Sequence, residues 1–454
     1  MRGFVYVVRN KGTRAEADYD KPQKVMAGDQ PVEVFGWPSP NFADFDADGD
    51  FDLLCGEFLD GFTYFENIGS RSVPKYSMGK RLKSGEGQPL VMDLQMITPT
   101  AIDWDKDGDL DLIVGDEDGR VAFVENTGKL TGDRTPQFNR PRYFQQEADD
   151  VKFGALATPV GFDWDGDGDT DIVSGNTAGY VGFFENLSGP NVEQPKWAAP
   201  QLLAAHEKVL RIMAGPNGSI QGPCEAKWGY TTQTIADWDA DGLPDLVVNS
   251  IWGKVVWYRN VGTRRAPKLA AAQPIEVEWN GPQPLLDYGW LRPDGNALLT
   301  QWRTTPVAID WNKDGLTDLV MLDQQGFLAF FERAKRDGRL VLLAPRRSFC
   351  NEKSEPLKLS AGIAGKSGRR KLCVVDWDGD GKLDLLLNSA NANFLRQTET
   401  RDGSVLFRDL GALVTQNIEG HDVSPTTVDF NGDGIPDFLG GAEDGRFYYL
   451  RNGR

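Results

Sequence analysis

Residues 158–186 read TPVGFDWDGDGDTDIVSGNTAGYVGFFEN. A short apolar stretch, PVGFDW, runs into an acidic loop with a central glycine. An apolar strand, DIVSG, follows the loop. After a glycine turn comes an alternating strand, GYVGFFEN, which ends in a polar dipeptide. The loop obeys D-x-D/N-x-D-G-x-x-D, and this pattern occurs seven times, beginning at Asp44, Asp103, Asp163, Asp237, Asp310, Asp376 and Asp429. The spacings are 59, 60, 74, 73, 66 and 53 residues. In the sixth copy the last strand is degenerate, NANFLRQ, and several linkers hold a weaker strand such as PQFNRPRYF. Four short antiparallel strands per repeat make the unit of a propeller blade. Helical periodicity over ten or more residues is missing throughout. Blades bury their faces only against one another. The pattern therefore predicts an all-β chain, a seven-bladed β-propeller forming a single domain over residues 1–454. Residues 3–10 (GFVYVVRN) look like the third strand of a further, incomplete copy, so eight blades is the alternative. A strand near Pro22 to Met26 is expected to supply the outer strand of the last copy and close the ring.

Composition narrows the function. The 454 residues carry 49 basic and 67 acidic side chains, a formal net charge of -18, which argues against nucleic acid or anionic lipid as a partner. No apolar run approaches the ~18 residues of a membrane span. The opening residues MRGFVYVVRN read as a strand and not as the apolar core of a signal peptide. Cys55, Cys224, Cys350 and Cys373 show no CxxC spacing, so neither a zinc site nor a disulfide framework is expected. Nucleophile motifs, phosphate loops, HExxH and dinucleotide fingerprints do not appear.

Each acidic loop offers side-chain oxygens at positions 1, 3, 5 and 9, a backbone carbonyl at 7 and glycine at 6. Hard cations take six to eight oxygens, and the glycine permits the sharp turn that gathers them. An EF-hand would add a bidentate Glu at position 12, where these copies have Cys55, Val114, Ser174, Val248, Met321, Leu387 and Gly440. The nine-residue period of a calcium β-roll is not seen either. The motif resembles the FG-GAP or VCBS repeat of integrin α-subunit propellers and of many secreted bacterial propeller proteins. That resemblance implies one structural calcium ion per loop. Its ligands would be Asp44, Asp46, Asp48, Asp52; Asp103, Asp105, Asp107, Asp111; Asp163, Asp165, Asp167, Asp171; and Asp237, Asp239, Asp241, Asp245. The last three sets are Asp310, Asn312, Asp314, Asp318; Asp376, Asp378, Asp380, Asp384; and Asp429, Asn431, Asp433, Asp437. Seven calcium ions would offset most of the acidic excess. The aromatic residues at loop position 2, Trp104, Trp164, Trp238, Trp311 and Trp377, are expected to pack between blades.

The loops join first to second strands and so share one face. Function is sought on the other, where the linkers enter the first strands. The longest linkers precede the fourth and fifth loops and are rich in aromatic and charged residues, and long loops in a compact domain are usually functional. They nominate Arg303, Lys227 and Tyr230, with His421 from the last linker, for catalysis. Trp228, Trp252, Tyr288, Trp290, Arg292, Gln301 and Trp302 are nominated for ligand contact. Aromatic rings beside planar donors suit a sugar that bears a carboxylate. By resemblance to calcium-bearing propeller lyases for rhamnogalacturonan, ulvan and rhamnose–glucuronate, the first expectation is a polysaccharide lyase acting at a uronic acid. Arg303 and Lys227 would neutralise the carboxylate, and His421 or Tyr230 would serve as base or acid. A glycosidase would need a carboxylate pair, for which only Glu225 and Asp287 offer themselves. The alternative is a non-catalytic glycan- or protein-binding propeller of the adhesin or lectin kind. High external calcium favours a periplasmic or extracellular location.

Overall fold

The computed structural model describes residues 2–144, 150–286, 291–360, 369–415, 418, 420 and 422–454. They are all-β, and their one helical element is the 3-10 turn Pro223–Glu225. Every copy of the motif builds an antiparallel meander. In the third copy Thr158–Phe162, Asp171–Gly175, Val181–Phe184 and Gln201–Leu202 pair in that order. The second strand lies between two others and under neighbouring blades, so all five residues of Asp171–Gly175 are buried. The fourth copy repeats the order with Thr232–Ala236, Asp245–Asn249, Val256–Tyr258 and Gln273–Pro274. The fifth and seventh copies hold three strands each, and the sixth holds five. The four cysteines are free thiols.

The chain divides into two compact units, Met1–Glu147 and Ala148–Arg454. The first contains copies one and two. Their shared core joins Phe45, Leu54, Phe62 and Tyr64 to Leu112, Val114, Val124 and Phe138. Ahead of them Arg2–Phe4 pairs with Glu33–Phe35, and Tyr6–Val7 pairs with Gln23–Lys24. These strands pack on copy one through Val5, Val25, Val32 and Val34 against Leu53 and Phe65.

The second unit contains copies three to seven and is a five-bladed β-propeller. Successive copies share apolar cores: three with four through Trp164, Val173 and Ile235; four with five through Trp238, Val247 and Leu319; five with six through Val320, Phe330 and Leu385; six with seven through Leu386 and Phe438. The last core, Phe153, Ile172 and Phe184 with Val428, Phe430 and Leu439, joins copy seven back to copy three. The junctions are alike in detail. A Cβ added to Gly175 would lie 2.4 Å from the Thr231 carbonyl oxygen, and one on Gly441 would lie 2.2 Å from that of Ala157. The segment entering copy three also bonds to copy seven, Phe153 N–H to Gly445 O (2.9 Å) and Phe447 N–H to Val151 O (3.0 Å). First strands from all five copies line a central cavity of about 100 Å³, among them Thr158, Gln233, Thr305, Cys373 and Ser424.

This corrects the expected ring of seven. Copy three accepts copy seven as its neighbour, so five blades close among themselves, and the closing segment is Val151–Phe153 where the sequence pointed to Pro22–Met26. Trp104 also departs from expectation. Trp164 and Trp238 are buried between blades, but Trp104 is 52% exposed, with its ring 5.6 Å from Phe144. No further copy follows it within Met1–Glu147 to cover it.

Candidate functional site

Two arrangements carry chemistry. The first is the acidic loop, whose backbone is the same in all seven copies. Position 6 is glycine with φ between 79° and 104°, and position 4 is left-handed as well, with Ala47, Lys106, Ala240 and Lys313 near 60°. Position 9 staples the loop to the blade. Asp171 accepts the N–H of Trp164 at 2.9 Å on one oxygen and that of Asn186 at 3.0 Å on the other. Asp245 does the same with Trp238 and Asn260, and Asp318 with Trp311 and Arg333. This staple explains why the third strand ends in a polar dipeptide.

Five loops bring three carboxylate oxygens within 4.8 Å of one another: Asp44, Asp46, Asp48; Asp103, Asp105, Asp111; Asp163, Asp165, Asp167; Asp237, Asp239, Asp245; and Asp376, Asp378, Asp384. The fifth and seventh loops carry Asn312 and Asn431 at position 3. Among the described residues, buried oxygens of Asp46, Asp50, Asp109, Asp169, Asp239 and Asp376 have no hydrogen-bond partner. Burial, reinforced by neighbouring aspartates, raises Asp109 and Asp169 to about 6. Burial raises Asp171 to about 7 and Asp52, Asp245 and Asp384 to about 6. Uncompensated buried oxygens at one point fit a hard divalent cation. Position 7 was assigned only its backbone carbonyl; Asp50, Asp109 and Asp169 there add a carboxylate. The sequence signal was present, since the other copies have Leu243, Leu316, Lys382 and Ile435.

The second arrangement lies where the first strands of the five-bladed unit begin. Two residues ahead of the Thr, Ser or Lys that stands at or just before the start of each first strand are Leu156, Tyr230, Arg303, Arg369 and Asp422. Four of these are left-handed, at φ 50°, 47°, 57° and 66° in chain order. The reversal there carries each linker into its strand and points side chains toward one another. The Arg303 guanidinium lies 3.6 Å from the Tyr230 ring centroid and 5.3 Å from that of Trp302. Arg369 lies 5.2 Å from Trp302. Trp228 meets Tyr230 edge to face at 5.7 Å. Arg303 is only 4% exposed, and its Nε and the Trp302 Nε1 have no hydrogen-bond partner among the described residues.

Charge is concentrated below these rings. Lys371 donates to Asp422 at 3.1 Å, with both side chains buried. Asn388 also donates to Asp422. Lys371 occupies the place held by Thr158, Thr232, Thr305 and Ser424 in the other four blades. Burial lowers both Lys371 and Arg303 from their ordinary values. Burial pushes Asp422 up, but Lys371, Asn388 and Arg303 outweigh it and hold the carboxyl below the usual range. Burial raises Glu225, against the pull of its Ser219 hydrogen bond and of Arg303 and Arg369. Gln221 donates to Glu225 at 2.6 Å and accepts from Arg369.

The structure thus gathers Trp228, Tyr230, Trp302 and Arg303. Gln301, fully buried, is spent on the Gln324 carbonyl at 2.9 Å, and Trp252, half-buried, donates to the Ala214 carbonyl at 3.1 Å. Lys227 is half-buried, and Arg292 is exposed beside Leu291. Trp302 and Trp228 are 1% and 6% exposed, so neither ring offers an open face to a sugar, contrary to expectation. Tyr288, Trp290, His421 and Asp287 lie outside the described residues. Arg369, Lys371 and Asp422 were missed, though aligning the repeats on their first strands would have shown Lys371 where the other four copies have Thr or Ser, and Arg369 and Asp422 in line with Arg303 where copies three and four have Leu156 and Tyr230.

Comparison with known proteins agrees with the repeat. Residues 376–440 match the FG-GAP-like repeat model. No curated protein matches the chain. Among solved structures, BBS1N in complex with ARL6DN, soaked with lead, aligns at 9% identity over 95% of this chain and 97% of that one, with a TM-score of 0.26. The mercury-soaked crystal of the same complex aligns at 10% identity over 92% of each chain, with a TM-score of 0.24. Likeness at that level carries no argument about partner or activity. None of the helices among the described residues is long and apolar enough to cross a membrane.

Proposed function

We propose that this chain is a calcium-stabilised propeller module that binds an anionic ligand, an acidic polysaccharide or oligosaccharide, at the Arg303 rim of its five-bladed unit. Arg303 carries the reading. It is a buried guanidinium stacked on Tyr230, with a donor left unused. An unmet buried donor costs about 1–3 kcal/mol, more when charged, and an incoming carboxylate would relieve it. Structural calcium at the acidic loops and a periplasmic or extracellular setting belong to the same reading.

Trp228 and Trp302, two of the aromatic side chains nominated for sugar stacking, are interior, so the reading rests on the anion contact at Arg303 and ranks binding ahead of catalysis. One observation favours the lyase as a second reading: Arg303 sits against Tyr230, which sets a carboxylate neutraliser beside a phenol able to exchange a proton. Calorimetric titration of the calcium-loaded full chain with oligogalacturonate tests both. Arg303→Ala is expected to weaken binding about tenfold to hundredfold, the loss of one charge-assisted contact. Growth of unsaturated-uronate absorbance would put the lyase first. No heat with any acidic glycan, or full affinity in Arg303→Ala, would remove the reading.

A further inference from the structure

The residue twenty-two places after the first Asp of the motif ends the third strand beside the loop. It is Glu66, Glu125 and Glu185 in copies one to three, Arg259 in copy four, Glu332 in copy five and Arg451 in copy seven. In copy six the shortened turn puts Arg396 there, twenty places on. The arginines turn onto their own loops. Arg259 meets Asp239 at 2.6 Å and Asp241 at 2.9 Å. Arg396 meets Asp378 at 2.5 Å and Asp380 at 3.2 Å, and Arg451 meets Asp433 at 3.4 Å. Loop four is further faced by the buried charge of Arg333, which donates to the Trp238 carbonyl at 3.1 Å.

The character of position 7 changes with it. Copies one to three add Asp50, Asp109 and Asp169, whereas copies four, six and seven have Leu243, Lys382 and Ile435. In copy three Asp169 is 4% exposed, and both its oxygens lack a hydrogen-bond partner among the described residues while facing Asp163, Asp165 and Asp167. Arg134 from copy two does reach Asp46 at 2.7 Å and Asp48 at 3.4 Å, Lys80 meets Glu66 at 3.4 Å, and Arg264 from copy four reaches Asp163 at 3.0 Å. In copies one and three these cations face five loop carboxylates and a glutamate, whereas copies four and six have four loop carboxylates and copy seven has three.

We infer that the seven loops fall into two kinds: copies one to three are the tight calcium sites, and copies four, six and seven carry a guanidinium as a built-in counter-ion that competes with the metal. Copy five, with Glu332 but Asn312 and Leu316, binds more weakly than the first three. The inference rests on the calcium reading above and replaces one equal ion per repeat with a graded set. Affinity in oxygen-ligand sites follows ligand charge, and a fixed cation at 3 Å from two ligands opposes a divalent ion directly.

The test is calcium titration of the metal-stripped full chain, with bound metal counted by elemental analysis after desalting. Three tight equivalents are expected. Arg259→Glu should add one, and Glu125→Arg should remove one, each by an affinity change of about tenfold to a hundredfold. Terbium luminescence sensitised by Trp238, at position 2 of loop four, gives a second readout, expected to rise in Arg259→Glu at equal terbium. Seven equal sites, or variants that leave the count unchanged, would overturn the inference and leave calcium binding intact. No bound calcium at all would overturn both.

Discussion

Lys371 and Asp422 form a buried ion pair in a position where the other blades manage with threonine or serine. Asp422→Asn preserves shape and the hydrogen-bonding reach toward Asn388 but leaves the Lys371 ammonium without its counter-charge. The side chains are 2% and 7% exposed, so water cannot take the place of the lost carboxylate. Breaking such a pair on one side costs about 3–5 kcal/mol. With roughly 2–4 °C of melting temperature per kcal/mol for a large domain, the drop should be about 6–20 °C. The pH dependence identifies the cause. In the variant Lys371 loses the charge that opposes desolvation, so its folded pKa falls still further below the ordinary lysine value of about 10.4. Between those two values the unfolded chain binds the extra proton, and stability therefore rises with pH. In the parent, the depressed Asp422 carboxyl contributes stability above the ordinary aspartate range, which is lost as pH falls through its folded pKa. Thermal melts from pH below the ordinary aspartate value of about 3.9 to alkaline pH measure both slopes. Adding Lys371→Thr, the residue of copies three, four and five, should recover most of the loss. A variant within 1 kcal/mol of the parent at every pH, or no recovery in the double variant, would refute the pair's role.

Removing calcium should lower the melting temperature of the full chain, since each loop held at a hundred times its dissociation constant contributes about 2.7 kcal/mol; an unchanged melt in excess chelator, with no calcium found by metal analysis, would count against it. Residues 150–454 expressed alone should fold into a β-rich unit with a sharp melt, because every blade junction of the five-bladed ring lies inside that span; an unfolded or aggregating fragment, with the full chain intact, would contradict the closure of copy seven on copy three.

How much was legible in the sequence depends on how far apart the partners stand. The acidic loop is complete within nine residues. The left-handed glycine at position 6 and the strand on each side follow from local chemistry, and the structure repeats them seven times; side-chain oxygens at positions 1 and 3 with 5 or 9 gather in five of the loops. The partner of Asp171 lies fifteen residues on at Asn186, still inside the blade, and the recurring polar dipeptide gave its place away. Ring closure is different in kind. The motif states what a blade is but not which blade is its neighbour, and copy three can accept copy seven because Phe153 and Ile172 meet Phe430 and Leu439 across more than 250 residues of chain. The rim follows the same logic. Each blade contributes one residue at a fixed offset, so no window shows the set, and Arg303 drew notice only because its linker is long. The clearest signal is a break in the repeat: a lysine in place of threonine at 371, an aspartate at 422, arginines for glutamates at 259, 396 and 451. In a chain of near-identical blades, packing explains what the copies share, and the positions where one copy departs in charge are where the chemistry that distinguishes this protein has to be placed.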